Sequence, residues 1–316
     1  MPIVPATHGA IRRAAQALAR GEIVAFPTET VYGLGANALD ARAVARVFAA
    51  KERPRFNPLI VHVPGLAEAE EYALVNATAR RLAEAFWPGP LSLVLKRRTT
   101  SGIAELVSAG LDTLALRAPA HPVAQALLAA ARLPIAAPSA NRSGRISPTA
   151  AEHVEAELGD RPSVILDGGP CPLGIESTVV SVAGGTPVLL RPGAVPREAI
   201  ELVLGAPLAT ATSDELGSSP GQLASHYAPG TKLRLNVTSV HRGEALLAFG
   251  PNVPQGARAA INLSESGNLE EAAARLFGAL RELDQAGVET IAVMPIPAHG
   301  LGEAINDRLQ RAANRG

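Results

Sequence analysis

Short apolar runs that stop at polar, Pro/Gly-punctuated bends recur along this chain, and they narrow what it can fold into more than any other feature. Ile23-Val24-Ala25 leads into Phe26-Pro27-Thr28-Glu29-Thr30-Val31-Tyr32-Gly33-Leu34-Gly35. The run reads as a buried strand. The segment after it reads as a turn punctuated by Pro27, Gly33 and Gly35, which offers two hydroxyls and a carboxylate to a ligand. Similar strand candidates fall at 58–63, 91–95, 113–117, 134–137, 164–166, 178–180 and 188–190. Between them, 11–18 has helical spacing stopped by Gly21, 41–50 reads as a second helix, and 122–132 as a third with Pro122 in its first turn. Strands mixed with helices imply an α/β sheet covered by helices, with strand order left open.

The character of the chain changes near residue 205. Residues 205–230 are rich in Ala, Thr, Ser, Gly and Pro without periodicity, and read as a linker. Beyond it come strand-like 232–235 and 245–249, an amphipathic helix over 269–286, a buried strand at 290–293 and a final helix from about residue 301. The expected division is 1–205, a linker at 206–230 and a small α/β unit at 231–316.

Twenty-nine basic side chains balance 29 acidic ones, which argues against nucleic-acid binding driven by bulk charge. Cys171 is the one cysteine, so no internal disulfide forms and a reducing compartment is expected. Its rigid Gly168-Gly169-Pro170-Cys171-Pro172 setting, without a recognisable His/Asn partner pattern, makes it an incidental small residue rather than a nucleophile. There is no signal-peptide pattern and no run of about 18 apolar residues, so the expected location is cytoplasmic, with no membrane partner.

Two further clusters carry chemistry. Lys51-Glu52-Arg53-Pro54-Arg55-Phe56-Asn57-Pro58 places three cations in five residues just before an apolar strand. Arginine forks and a lysine point charge are what a polyphosphate needs. Asn57, before Pro58, is biased to extended backbone, and its amide suits a base or a ribose. The other cluster, Pro138-Ser139-Ala140-Asn141-Arg142-Ser143-Gly144-Arg145-Ile146-Ser147-Pro148-Thr149, is dense in hydroxyls and adds two arginines. Ser147 or Thr149 is expected to cap a helix running to Leu158, a reading compatible with anion binding. Trp87-Pro88-Gly89-Pro90 reads as a tight turn with an aromatic anchor. His62, alternating with apolar neighbours, is by itself more often a core or edge histidine than a catalytic one. Several signatures are absent: a P-loop, a dinucleotide fingerprint, a nucleophile elbow and metal-ligand spacing of Cys and His.

In this order, these clusters resemble the threonylcarbamoyl-AMP synthase (YrdC-like) family. The resemblance rests on Pro27 to Leu34, Lys51-x-Arg53-Pro54 with Asn57-Pro58-Leu59, Trp87 to Pro90 and Leu116-Arg117. It continues with Pro138 to Asn141, Ser143-Gly144, Ser177-Thr178 and Arg191-Pro192-Gly193. It spans roughly residues 10–205. His226-Tyr227-Ala228-Pro229 resembles the end of the linker in the longer, two-domain subtype. Many members of that subtype carry a basic residue where Leu223 to Ser225 stand here.

The resemblance implies a twisted, mostly parallel or mixed sheet with a concave basic face and a small Rossmann-like C-terminal domain. It implies a nucleotidyltransferase that makes L-threonylcarbamoyl-adenylate and pyrophosphate from L-threonine, bicarbonate and ATP. Magnesium is expected with the triphosphate, held by phosphate oxygens and water rather than by protein ligands. The implied partner is a downstream tRNA threonylcarbamoyl transferase complex, with direct tRNA binding left open. Thr30, His62, Arg117, Ala137 and Ser177 match positions that hold threonine. Arg53, Asn57, Thr113, Ser139, Ser147, Arg191 and Tyr227 match positions around ATP, and Lys51 joins the phosphate group. Lys51 and Arg53 are the expected catalytic cations, and the linker is expected to close over the site as a lid.

Two other readings compete. One is a double-stranded RNA or tRNA-binding module without catalysis, supported by the local arginines and opposed by the zero net charge and few aromatics. The other is a carbamoyl-transfer enzyme using carbamoyl phosphate, opposed by the lack of extra metal-binding segments.

Overall fold

The computed structural model describes residues 3–54, 57–212 and 226–314. The first part runs β1 (Ile3–Pro5), α1 (His8–Ala19), β2 (Val24–Phe26), β3 (Gly33–Asn37), α2 (Ala41–Lys51), β4 (Ile60–His62), α3 (Leu66–Tyr72) and β5 (Ala73–Leu74). It continues α4 (Ala77–Phe86), β6 (Leu91–Arg97), α5 (Glu105–Ser108), β7 (Thr113–Arg117), α6 (Pro122–Ala131), β8 (Ile135–Ala136) and α7 (Ala151–Leu158). It ends β9 (Val164–Asp167), β10 (Thr178–Ser181), β11 (Val188–Arg191), α8 (Arg197–Leu204) and β12 (Ala209–Thr210). The rest is β13 (Lys232–Arg234), β14 (Ala245–Ala248), β15 (Ala259–Asn262), α9 (Leu269–Asp284), β16 (Thr290–Val293) and α10 (Leu301–Ala313).

Strands up to Thr210 form one sheet of order β1-β9-β2-β3-β8-β4-β7-β6-β10-β11-β12, with β5 beside β6. The sheet is mixed: β4 runs parallel to β7, for example, while β6 and β7 are antiparallel. Strands from Lys232 on form an all-parallel sheet, β13-β16-β14-β15. Among the described residues no helix is long and apolar enough to cross a membrane.

The alternation of each strand decides which helices cover it. Ile23, Ala25, Val61, Leu93, Leu116 and Val180 face a core built with α2, α4, α5, α7 and α8. Val24, Phe26, Ile135 and Leu166 face the opposite way, against α1 and α6. Farther along that second face, Ile60, Val94, Ala115, Val179 and Leu190 form a separate small apolar strip. The polar clusters gather on that face, beside Phe26, whose ring meets His62 edge-on at 6.0 Å.

Three expectations change. Gly33 and Gly35 lie in strand β3, paired antiparallel with β2, so the turn is confined to 27–32. The glycine at 35 reflects close packing: a Cβ there would stand 2.7 Å from Ile135 Cγ2 and 2.8 Å from Phe26 Cε1. Neither Ser147 nor Thr149 caps α7, whose N-cap is Ala150 without a side-chain bond. The Ser147 hydroxyl goes to Glu176 Oε1 (2.5 Å) and the Thr149 N–H to His153 Nδ1 (3.2 Å). Within the expected linker, Ala209 and Thr210 form a strand parallel to β11. The lid expectation and the Leu223 to Ser225 stretch lie outside the described residues, as do Arg55 and Phe56.

Candidate active site

The opening bend is organised by Thr28. Its hydroxyl oxygen accepts from the N–H groups of Thr30 and Val31 (both 3.2 Å), and its O–H donates to the Val31 carbonyl (2.7 Å). Such local side-chain bonds hold the chain in a turn instead of a ladder. The bend is then pinned to the third cluster. Tyr32 N–H donates to Pro148 O and Leu34 N–H to Pro138 O, while Ala140 N–H donates to Tyr32 O. Two clusters separated by more than a hundred residues thus share one edge.

Arg117, at the end of β7, reaches into this bend. It donates to Thr30 Oγ1 (2.9 Å), Glu29 Oε1 (2.6 Å) and the Gly89 carbonyl (3.2 Å). Burial alone pushes Glu29 up, but the Arg117 charge and hydrogen bond outweigh it and hold the carboxyl below its ordinary value. Register places His62 opposite Arg117 on β4. Burial, reinforced by the Arg117 cation, pushes the His62 imidazole down to about 3, so it is neutral at physiological pH.

The cation cluster is delivered by the end of α2. Asp40 caps that helix through the N–H groups of Arg42 and Ala43, and Glu52 closes it in the left-handed region (φ 55°). Lys51, 1% exposed, does not line the pocket. Its ammonium donates to the carbonyls of Ser139 (2.5 Å) and Asn141 and so ties the third cluster down. Arg53 does line the pocket, held by the carbonyls of Asn57 (3.4 Å) and Pro58 (3.2 Å). Burial pushes its guanidinium down to about 10, which leaves it charged at neutral pH.

Arg191, at the end of β11, faces the same pocket and donates to the Ser177 carbonyl (2.8 Å) and hydroxyl (3.2 Å). The Ser177 hydroxyl also bonds Ser92 (2.8 Å). The pocket has a cavity volume of about 60 Å³ and opens to solvent. Of the expected residues, Thr30, His62, Arg117, Ala137 and Ser177 line it, as do Arg53, Ser139, Arg191 and Tyr227. Lys51, Asn57, Ser147 and Thr113 do not. Ser147 acts on it through Glu176. Thr113 opens β7, on the same face as Arg117 but at the far end of the strand.

Sequence reasoning missed two residues of the pocket wall, Glu176 and His226. Of the polar groups that the opening bend offers to a ligand, Thr28 lines the pocket, whereas the Glu29 carboxylate does not and is bound instead by Arg117 and the Ala120 N–H. Burial and the cations of Arg53, Lys51, Arg308 and Arg191 hold His226 well below its ordinary value.

Buried polar atoms without a hydrogen-bond partner concentrate here: His62 Nδ1, His226 Nδ1 and the Tyr227 hydroxyl on the pocket wall, and Asn57 Oδ1 and Asn141 Oδ1 on the neighbouring clusters. Buried polar groups are nearly always paired, so such a concentration marks a place where a polar ligand completes the bonding. Among the described residues no group of three or more His, Cys, Asp or Glu is arranged to hold a metal ion. The carboxylate on the pocket wall, Glu176, is engaged by Ser147 and Arg308.

Comparisons with known proteins agree with this geometry. Residues 16–193 match the Sua5/YciO/YrdC family model, described as "Telomere recombination". Residues 195–314 match the model described as "Threonylcarbamoyl-AMP synthase, C-terminal domain". Threonylcarbamoyl-AMP synthase of Pyrococcus abyssi is 41% identical, over 96% of this chain and 94% of its own length. That of Bacillus subtilis is 42% identical, over 96% of this chain and 92% of its own. The crystal structure of P. abyssi Sua5 complexed with L-threonine superposes with a TM-score of 0.90 at 39% identity, covering 97% of this chain and 95% of that one.

Proposed function

The chain belongs to the Sua5/YciO/YrdC family in its two-domain form, and on that premise we propose that it is a threonylcarbamoyl-AMP synthase. It joins L-threonine, bicarbonate and ATP into L-threonylcarbamoyl-adenylate and pyrophosphate, and so acts as a nucleotidyltransferase. The observation that carries this reading is the set of unpartnered buried polar atoms around one pocket, with Arg117 ion-paired to Glu29 at one end and Arg53 and Arg191 lining the other.

The neutralised end suits an amino acid. Three of the five Arg117 N–H donors are used by Glu29, Thr30 and Gly89, which leaves two for the threonine carboxylate. Neutral His62, Ala137 and Ser177 would surround the rest of that substrate. The other end suits a triphosphate, with Arg53, Arg191 and Ser139 on the pocket wall. Asn57 and Tyr227 stand close by, and Lys51 holds the Ser139–Asn141 backbone in place. A base laid over the apolar strip of Val94, Ala115 and Leu190 would extend along β7 toward Thr113.

The chemistry needs positioning and charge neutralisation rather than a protein nucleophile. Bicarbonate first carboxylates the threonine amine with loss of water. A carbamate oxygen then attacks the α-phosphorus in line, the bond to the bridging oxygen breaks, and pyrophosphate leaves. Arg53 and Arg191 oppose the charge that builds on the departing diphosphate. Magnesium would travel with ATP, because Glu176 is already engaged and phosphate oxygens with water suffice to hold it. The mixed anhydride would pass to a downstream tRNA threonylcarbamoyl transferase complex. Relatives named as synthases along nearly the whole chain favour this over the RNA-binding and carbamoyl-phosphate readings.

The test is pyrophosphate release with each reactant omitted in turn. Release should require threonine, bicarbonate and ATP together. Release at the same rate without threonine or without bicarbonate would contradict the assignment.

A further inference from the structure

The C-terminal unit reaches the back of the pocket wall through one buried arginine. Arg308 lies on α10 and is fully buried (0% exposed). Its Nε donates to Glu176 Oε2 at 2.8 Å, and its Nη2 donates to the Pro192 carbonyl at 3.0 Å. Its guanidinium lies 5.0 Å from the centroid of the Tyr227 ring. The same ring stacks with Phe277 of α9, 5.6 Å away and inclined by 23°. Tyr227 itself sits in the left-handed region (φ 63°), a conformation that surrounding contacts must maintain. Val31, Ile146 and Ile175, from the loops around the pocket, pack in the same core as α9 and α10.

We propose that Arg308 is a positioning residue for the nucleotide: it neutralises Glu176 and seats Tyr227, so the second unit completes the ATP subsite of the first. The charges around the pocket require this. Arg117 is cancelled by Glu29, while Arg53 and Arg191 line the end of the pocket proposed for the polyanion. Glu176, buried on the same wall, would repel phosphate oxygens directly if it stood alone. Arg308 removes that carboxylate from the balance, and Asp307, which also contacts its guanidinium, pairs in turn with Arg311. Glu176 is then free to hold the Ser147 hydroxyl without opposing the ligand. Threonine, at the Arg117 end, is outside this arrangement.

The inference rests on the proposed ATP subsite, so its test reads nucleotide binding separately from turnover. The full-length chain, Arg308→Met and the double variant Glu176→Gln/Arg308→Met are titrated with ATP and with threonine by calorimetry, and adenylate formation is followed in parallel. Arg308→Met should weaken ATP binding about tenfold or more and leave threonine affinity within about twofold. The double variant should recover most of the lost ATP affinity, because the uncompensated carboxylate is gone. A purely structural arginine would weaken threonine and ATP binding alike. Unchanged ATP affinity in Arg308→Met, or a defect that Glu176→Gln does not relieve, overturns the inference. If Arg308→Met is insoluble, the double variant decides alone: soluble with near-normal ATP affinity supports the inference, and equally defective overturns it. A wild-type chain that binds ATP yet makes no adenylate would instead sink the functional reading and leave this one standing.

Discussion

Arg117 and Glu29 form a buried ion pair across the mouth of the opening bend, 2.6 Å between Nη2 and Oε1, with 4% and 9% of their side chains exposed. Removing one partner of such a pair leaves an uncompensated buried charge, at a cost of about 3–5 kcal/mol. Arg117→Ala should therefore lower the urea midpoint markedly and abolish threonine-dependent turnover. Arg117→Lys should fold but bind threonine poorly, because an ammonium has three donors and no planar fork, too few to serve Gly89, Thr30 and Glu29 and a substrate carboxylate as well. Wild-type stability in Arg117→Ala would mean that the pair contributes nothing.

Lys51 should act through the backbone it holds. Lys51→Met leaves the Ser139 and Asn141 carbonyls without their ammonium donor, at roughly 1–3 kcal/mol for each unsatisfied group. Hydrogen exchange at residues 139–145 should accelerate and ATP affinity should fall. Unaltered exchange in that segment alongside lost ATP binding would instead assign Lys51 a direct phosphate contact.

Acid should destabilise the protein from about pH 6 downward. Above the ordinary histidine value near 6.5, His62 is neutral in both folded and unfolded chains, and its contribution is complete. Below it the unfolded chain takes up a proton that the folded one refuses until about pH 3. Stability then falls by about 1.4 kcal/mol per pH unit for each such histidine. His226 is lowered in the same direction. Urea midpoints between pH 7 and 4 should drop steeply, and less steeply in His62→Gln. A flat profile would show that these imidazoles are not excluded from protonation.

Gly193→Ala should damage the pocket floor. A Cβ there would stand 2.4 Å from Glu176 O, Ser177 C and Thr178 N, all backbone atoms that cannot yield cheaply. Overpacking of this kind costs about 1–3 kcal/mol. Because the displaced residues carry Glu176 and Ser177, threonine and ATP affinity should both fall. Crystals of the variant with unmoved β10 would show that the site tolerates the methyl group.

Cys171 should be inert. Burial pushes its thiol up to about 12, so almost no thiolate exists at neutral pH. Thiol reagents should label it only on unfolding, and Cys171→Ala should keep full turnover. Loss of activity without loss of stability would reopen a chemical role.

Much of the site is legible in sequence because its pieces are local. A polar bend after an apolar run announces itself, and the residues from Thr28 to Thr30 and from Ser139 to Asn141 could be picked out one by one. Their convergence could not, because it depends on strand order: β3 lies between β2 and β8, and β8 beside β4. Gly35 misled for a physical reason, since a glycine demanded by Ile135 and Phe26 looks the same in sequence as one demanded by a turn. Ser147 misled because a hydroxyl before a helix suits a cap and a distant carboxylate equally well. Arg308 did leave a trace. Ala304, Ile305, Leu309 and Ala312 form the apolar stripe of α10, and a charge within that stripe signals a buried partner elsewhere. Only the fold shows that the partner is Glu176.

The most direct measurement of the central claim uses radiolabelled bicarbonate. Incubated with the full chain, threonine and ATP, it should yield a labelled adenylate in step with pyrophosphate, and Arg53→Ala should lose both signals together. Pyrophosphate without label in the adenylate, or label that forms when threonine is withheld, would contradict the account.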